Sequence, residues 1–510
     1  MRGPHNIWRL IRTGATFERS GAMKLALEAV GAPKGVRIAA RILGWPFSWL
    51  GLKGDPNLQP ISRALTALGP AYIKFGQVMS TRPDVVGDDL ADELKILQDA
   101  LPPFDTKLAR AEVERELGQP VDTLFTSFSE PVAAASLAQV HRATERGTGR
   151  DVAVKVLRPA VERAFLRDVD AFYFAARMVE LLSPASRRLR PMAVIQHFET
   201  IVQGELDLRM EASAAAEFHA NTEADEGFVV PQVVWHLSGR RVLTLDWADG
   251  IRFSDTKAMS AQGADLVDLS NRVIQTFLKV ALRDGFFHGD MHQGNLKLAA
   301  NGDIIALDFG IMGRIDAYTR RVYAEILIGF LRRDYRRVAA VHFEAGYVPA
   351  DRDIDAFAQA LRAVGEPIFG QDATQISMAK LLAHLFDVTE RFGMETRTEL
   401  ILLQRTMVVV EGVARSLNPE TNMWETSKPV VEAYIRDNLG PKAVISDLVK
   451  TVTLLSRFGP LLPGMAEAAL IKANAVPEVP GNKSDILPWW GWLATGGFAG
   501  MLVLAILLWI

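Results

Sequence analysis

His288-Gly289-Asp290-Met291-His292-Gln293-Gly294-Asn295, followed after one short strand-like run by Asp308-Phe309-Gly310, is the stretch that decides the fold. An Asp able to contact an accepting hydroxyl, an Asn five residues on and a second Asp after a strand can together hold Mg²⁺ and align an in-line attack on a phosphoryl group. Asp290 is thereby the expected catalytic residue, and Asn295 and Asp308 the expected metal ligands. The helix ahead of the stretch ends at Asp284-Gly285, where glycine can supply the left-handed turn into such a loop. A metal-hydrolase reading would take His288, Asp290 and His292 as ligands, since imidazole and carboxylate suit zinc or iron. It leaves Asn295 and the Asp-Phe-Gly unexplained.

Upstream, Val152-Ala153-Val154-Lys155-Val156 matches a strand whose lysine holds nucleotide phosphates. Before it runs Pro131-Val-Ala133-Ala134-Ala135-Ser136-Leu-Ala-Gln139-Val140, a small-residue loop expected to lie over ATP. An ordinary protein kinase has glycines there. Alanine restricts positive φ and holds the backbone further from the phosphates, so nucleotide should bind with altered geometry. After Asp308 the chain enters a helix near Asp316 and no Ala-Pro-Glu appears, so peptide docking lacks its usual platform.

With 510 residues, 49% hydrophobic and 23% charged, the chain is folded and long enough for two or three compact units. Lys plus Arg number 57 against 60 Asp plus Glu, so nothing global favours nucleic acid as a partner. The absence of cysteine removes disulfides, thiolate metal sites and thiol redox chemistry together. No fixed-period repeat is visible, which argues against a solenoid or propeller.

Both ends carry membrane signals. From Ile486 to Ile510 there is no charge, and Trp489, Trp490, Trp492 and Trp509 flank the apolar run, as expected of a transmembrane helix with interfacial indoles. Lys472 and Lys483 precede the run and nothing cationic follows it. This predicts a single-pass anchor in the inner membrane with the body in the cytoplasm. Gly496 and Gly500 make a GxxxG spacing compatible with close helix association and a homodimer. Residues 1–41 hold eight Lys or Arg and two Glu, either a surface for anionic lipid or an ordinary solvated helix face.

Between the ends, helices over Leu58 to Leu101 break at Gly69-Pro70, and another runs from about Thr106 to Leu117. Short β-rich runs at Val140 to Ala143, Val152 to Val156 and Val242 to Leu245 predict a small antiparallel sheet, with a helix carrying Glu205, Asp207 and Glu211 between the last two. Asp207 and Glu211, four apart on a helix, would repel unless a cation such as Lys155 or Lys74 neutralised them. Mainly helices follow. The order predicts an α+β, two-lobe fold with a cleft.

These motifs, with Lys74-Phe-Gly76-Gln77 and Glu205-Leu-Asp207 in order, make the chain resemble the UbiB family of atypical, membrane-associated kinase-like proteins linked to ubiquinone biosynthesis. The resemblance covers nearly the whole sequence. It implies an atypical protein-kinase-like fold with an N-terminal helical extension that folds over the nucleotide. It also implies that Glu211 pairs with Lys155, and that Lys74 and Gln77 face the Glu-x-Asp carboxylates. The expected organisation is a basic region at 1–57, the helical extension at 58–120, an N-lobe at 121–250, a helical C-lobe at 251–475, a linker at 476–485 and the membrane helix at 486–510. The implied cofactors are ATP and Mg²⁺, and the implied partners are membrane lipid and quinone-biosynthesis intermediates or proteins. The expected activity is ATP hydrolysis or phosphorylation of a small or lipid-like acceptor. A protein kinase, or a non-catalytic nucleotide switch that assembles or extracts quinone precursors, are the alternatives.

Overall fold

The computed structural model describes residues 6–29, 45–80, 103–135, 137–182, 191–369 and 398–439, with a few short stretches between them. Ser136, the linker and the expected membrane helix at 486–510 lie outside the described residues. Among the described residues no helix is long and apolar enough to cross a membrane. Contacts group them into two units, 6–212 with 233–247, and 213–232 with 248–439.

In the first unit, α1 (Asn6–Ser20), α2 (Ala22–Ala29), α3 (Pro60–Leu68) and α4 (Pro70–Ser80) are followed by α5 (Thr106–Leu117) and the single turn α6 (Val121–Leu124). Pro60 and Pro70 open their helices, where the missing amide hydrogen costs nothing, and Gly69 takes φ +111° between them. Asp105 caps α5 by accepting from the Lys107 amide, and Gly118 ends it in the left-handed region. The sheet comprises β1 (Phe125–Ala134), β2 (Ala138–Glu145), β3 (Asp151–Leu157) and β5 (Val242–Asp246), all antiparallel in the order β1-β2-β3-β5. After β3 come α7 (Val161–Leu182), α8 (Pro191–Glu205) and α9 (Leu208–Thr222), and the boundary between the units falls within α9.

Strand alternation splits the core of this unit in two. Val152, Val154 and Val156 share a face with Ala143 and Val242, and this face packs against Ala109 and Val113 of α5. The opposite face presents Ala138, Leu157 and Leu243 to Ala71 of α4, Phe165 of α7 and Phe198 of α8. The region read as one extension at 58–120 therefore serves both faces: α4 covers one and α5 the other.

The second unit contains β4 (Phe228–Val229), β6 (Ile251–Arg252), β8 (Leu296–Leu298) and β9 (Ile304–Ala306), ordered β4-β9-β8-β6, and a ribbon of β7 (Phe286–His288) with β10 (Met312–Arg314). Its helices are α10 (Thr256–Ala261), α11 (Leu266–Arg283), α12 (Ala317–Leu331), α13 (Tyr335–Glu344), α14 (Ile354–Phe369), α15 (Thr398–Leu417) and α16 (Met423–Leu439). α11 buries Leu269, Val273, Ile274, Phe277 and Leu278 and packs against α15 and α16. Gly285 follows it at φ +67°, where a Cβ would run into the Ile315 carbonyl oxygen, so the turn into β7 requires glycine.

Candidate active site

The residues expected from the sequence to carry the chemistry fall into two groups, one in each unit. In the first, Lys155 on β3 reaches Glu211 in the opening turn of α9, with Nζ at 2.7 and 2.9 Å from the two carboxylate oxygens. Glu211 is buried and Lys155 is half-buried, so the ammonium offsets a carboxylate taken out of water. Val140 lies beside Lys155 in the β2–β3 register, on the same face. Lys74 of α4 forms an ion pair with Glu205 at the end of α8. Gly76 is buried in α4, and Gln77 follows it, half-buried.

Three placements differ from the sequence reading. The small-residue segment is largely a β-hairpin: Ala133 pairs with Val140 and Ala134 with Gln139, and the turn is closed by the Ala135 amide donating to the Ala138 carbonyl at 2.8 Å. Alanine does not need positive φ there, because Ala133 and Ala134 are strand residues. Gln139 lies on the face opposite Lys155, fully buried. Its Oε1 accepts from the Phe104 amide at 2.8 Å, while Nε2 donates to the Phe104 carbonyl and to His141 Nε2 at 3.2 and 2.9 Å. These bonds commit the Gln139 side chain to holding the approach to α5, on the face away from Lys155. Finally, Glu205, Asp207 and Glu211 do not share a helix. The chain breaks between α8 and α9, and Asp207 accepts from the Arg209 amide and guanidinium at 3.1, 2.9 and 2.6 Å. Those bonds hold the Asp207 carboxyl below the usual range.

In the second unit, the loop expected to be catalytic is fixed by a buried histidine. His288 Nε2 donates to the Leu307 carbonyl at 3.0 Å, and Nδ1 accepts from the Asp290 amide at 3.1 Å. Burial pushes the His288 pKa down, in keeping with this neutral tautomer. Both ring nitrogens are committed, so His288 cannot ligate a metal and the metal-hydrolase alternative loses its first ligand. His292 Nδ1 accepts from the Gly294 amide at 3.0 Å. Asn295 Nδ2 donates to the Asp290 carbonyl at 3.0 Å, which turns the amide oxygen toward other partners. Asp290 keeps 37% of its side chain exposed.

Asp308 follows β9 at φ +58°, a left-handed conformation that Asp and Asn tolerate best among side-chain-bearing residues. The next residue, Phe309, is buried against the rings of Phe218 and His288, at 6.0 and 5.7 Å. Only Phe309 to Asp316 separate Asp308 from α12, and Asp316 caps that helix by accepting from the Thr319 amide at 2.8 Å.

Sequence reading missed the support under this loop, which comes from α15, more than a hundred residues downstream. Thr406 Oγ1 donates to the Gly289 carbonyl at 3.1 Å, and Gln293 Nε2 donates to Ser416 Oγ at 2.6 Å. A Cβ on Gly289 would press on Ile311 and Leu402. No local pattern in the sequence links these positions.

For Mg²⁺ the donor set is one amide oxygen and one carboxylate, hard oxygen ligands that suit the ion when phosphate oxygens and water complete the shell. Among the described residues, no three His, Asp or Glu side chains gather as a metal cage.

Residues 96–342 match the ABC1 atypical kinase-like domain, and residues 361–422 match the UbiB helical domain. A relative from Aliivibrio fischeri (strain MJ11), named probable protein kinase UbiB, is 40% identical over 420 residues, covering 81% of this chain and 77% of its own. One of the same name from Shewanella piezotolerans is 37% identical over 440 residues, covering 84% and 80%. A solved Rv3197–erythromycin complex from Mycobacterium tuberculosis aligns at TM-score 0.47 and 21% identity over 70% of this chain and 90% of that one. The class is an atypical kinase-like protein with a helical domain, and the chain belongs to the UbiB family.

Proposed function

We propose that the chain is an Mg-ATP-dependent phosphotransferase or ATPase that acts at the membrane in support of ubiquinone biosynthesis, with water or a small, lipid-like hydroxyl as acceptor. The observation that carries the reading is the loop itself: a neutral buried histidine holds the Asp290 amide and the Leu307 carbonyl, Asn295 bonds the Asp290 carbonyl, and the Gly310 amide donates to Asp308, in the order that phosphoryl transfer uses. Lys155, fixed by Glu211, would steady the nucleotide phosphates, and the backbone around Ala133 to Val140 would cover them. Asn295 and Asp308 would hold Mg²⁺, which neutralises charge on the phosphates when bound. Asp290, partly open to solvent, would accept the proton of the attacking hydroxyl or water.

The short passage from Asp308 to α12 favours a small acceptor over a polypeptide, because it leaves eight residues, Phe309 to Asp316, where a peptide platform would have to fit. The membrane anchor at 486–510 belongs to the same proposal and rests on its uncharged, tryptophan-flanked sequence.

Asp308→Asn tests the metal assignment cleanly, since asparagine tolerates the same left-handed backbone and removes only the charge. The expected result is a folded protein whose ATP affinity no longer rises with Mg²⁺. Unchanged magnesium dependence would reject Asp308 as a ligand.

A further inference from the structure

The catalytic loop His288 to Asn295 contains neither lysine nor arginine, yet it must manage an aspartate, a metal-binding carboxylate and a triphosphate. Phosphoryl transfer places charge on the three equatorial oxygens of the moving group, and sites of this kind meet it with a fixed cation as well as a metal. Within this unit such a cation has to come from outside the loop. α15 is clamped to the loop by Thr406 on the Gly289 carbonyl and by Ser416 on Gln293, and Arg405 immediately precedes Thr406. Arg405 is exposed, and the protein packed around it lowers its pKa. The charge that offsets this burial is Asp290, itself partly open. An exposed arginine on the helix that grips this loop, one residue from the Thr406 bond to Gly289 and so close to the Asp290 backbone, is placed to meet an anionic ligand.

We propose that Arg405 is a catalytic residue that contacts the phosphoryl group in transit, so that the helical domain completes the site. This rests on the phosphotransferase reading above. The acceptor oxygen forms a bond to the γ-phosphorus as the bond from that phosphorus to the β–γ bridging oxygen breaks. The bridging oxygen leaves with the electron pair on ADP, the acceptor's proton passes to the Asp290 carboxylate, and the Arg405 guanidinium donates to the equatorial oxygens throughout. A planar fork of donors matches those oxygens in a way lysine cannot.

The test compares full-length protein with Arg405→Ala and Arg405→Lys for ATP turnover, for ATP and ADP affinity, and for rescue by added guanidinium. Arg405→Ala should lose about 1,000-fold in kcat, the lower end of what an arginine donates to phosphoryl transfer. Its ADP affinity should stay within about twofold of the parent, because ADP lacks the group Arg405 contacts. The preference for ATP over ADP should disappear, guanidinium should restore part of the rate, and Arg405→Lys should fall between parent and alanine. Turnover of Arg405→Ala within about threefold of the parent would overturn the assignment, as would equal loss of ATP and ADP binding with a lowered melting temperature. If the parent itself does not turn ATP over, the phosphotransferase reading fails separately. Arg405 is then decided by binding alone: an ATP-over-ADP preference that vanishes in Arg405→Ala sustains the contact, and an unchanged preference refutes it.

Discussion

Replacing Lys155 with methionine removes the ammonium from a buried carboxylate and leaves Glu211 to take up a proton or stay charged without its partner. Lys155→Met should therefore cost about 2 kcal/mol of stability in addition to nucleotide affinity. Adding Glu211→Gln should restore most of the stability and none of the affinity, read by chemical denaturation and ATP titration side by side. If stability and affinity recovered together, Lys155 would be structural and not a phosphate ligand. Histidine supplies the pH prediction at this scale. His141, His288 and His342 all have their pKa lowered by burial, so below about pH 6.5 the unfolded chain binds protons that the folded chain refuses. Stability is fully present above that pH and falls as the medium acidifies toward the folded values, by up to about 1.4 kcal/mol per pH unit for each histidine. His342, whose Nδ1 donates only to the Val338 carbonyl at 2.7 Å, can be changed to leucine to isolate one share. The pH 5 to 6.5 slope of the melting temperature should become shallower in His342→Leu, and an unchanged slope would mean that His342 is already protonated when folded.

Among the elements, those with strong start and stop chemistry were legible. Asp105 and Gly118 bracket α5, Asp316 opens α12, and the Val152-Ala-Val-Lys-Val alternation marks β3, because caps, left-handed glycines and period-two patterns are local. The short strands of the second unit were not legible: three residues such as Leu296–Leu298 cannot display a period. The break between Glu205 and Leu208 was hidden for a different reason, since Asp207 ends one helix and opens the next through a side-chain bond to the Arg209 amide that no pattern announces. The site was legible in its loop and its lysine and not in its α15 support, which depends on contacts across more than a hundred residues. Gly285 offers the test at this scale. Gly285→Ala forces a Cβ toward the Ile315 carbonyl at a positive φ and should destabilise the second unit by about 2 kcal/mol or more, read as a lower denaturation midpoint. A variant as stable as the parent would mean that the turn into β7 can be made another way.

Across the whole molecule, the basic N-terminus is partly used in folding. Arg9 pairs with Asp168, Asn6 Nδ2 donates to Asp170 at 3.3 Å and Thr13 meets the Tyr72 hydroxyl at 2.7 Å, so α1 is bound to α7 and α4. Trp8 and Trp49 nevertheless remain 59% and 72% exposed. The proposed membrane attachment can therefore be tested at the two ends separately. Deleting residues 486–510 should release the protein into the soluble fraction with ATP binding intact, whereas carbonate-resistant attachment of the truncated chain would place the anchor elsewhere. The central claim is that the chain moves the γ-phosphoryl group of ATP with the Asp290 loop. Its most direct test follows γ-labelled ATP on purified full-length protein with Mg²⁺, anionic liposomes and a phenolic quinone precursor, beside Asp290→Asn. The account predicts label released as phosphate or carried into the precursor by the parent, with a loss of about 100-fold or more in Asp290→Asn. Label that stays in intact ATP, or turnover equal in the two proteins, would contradict it.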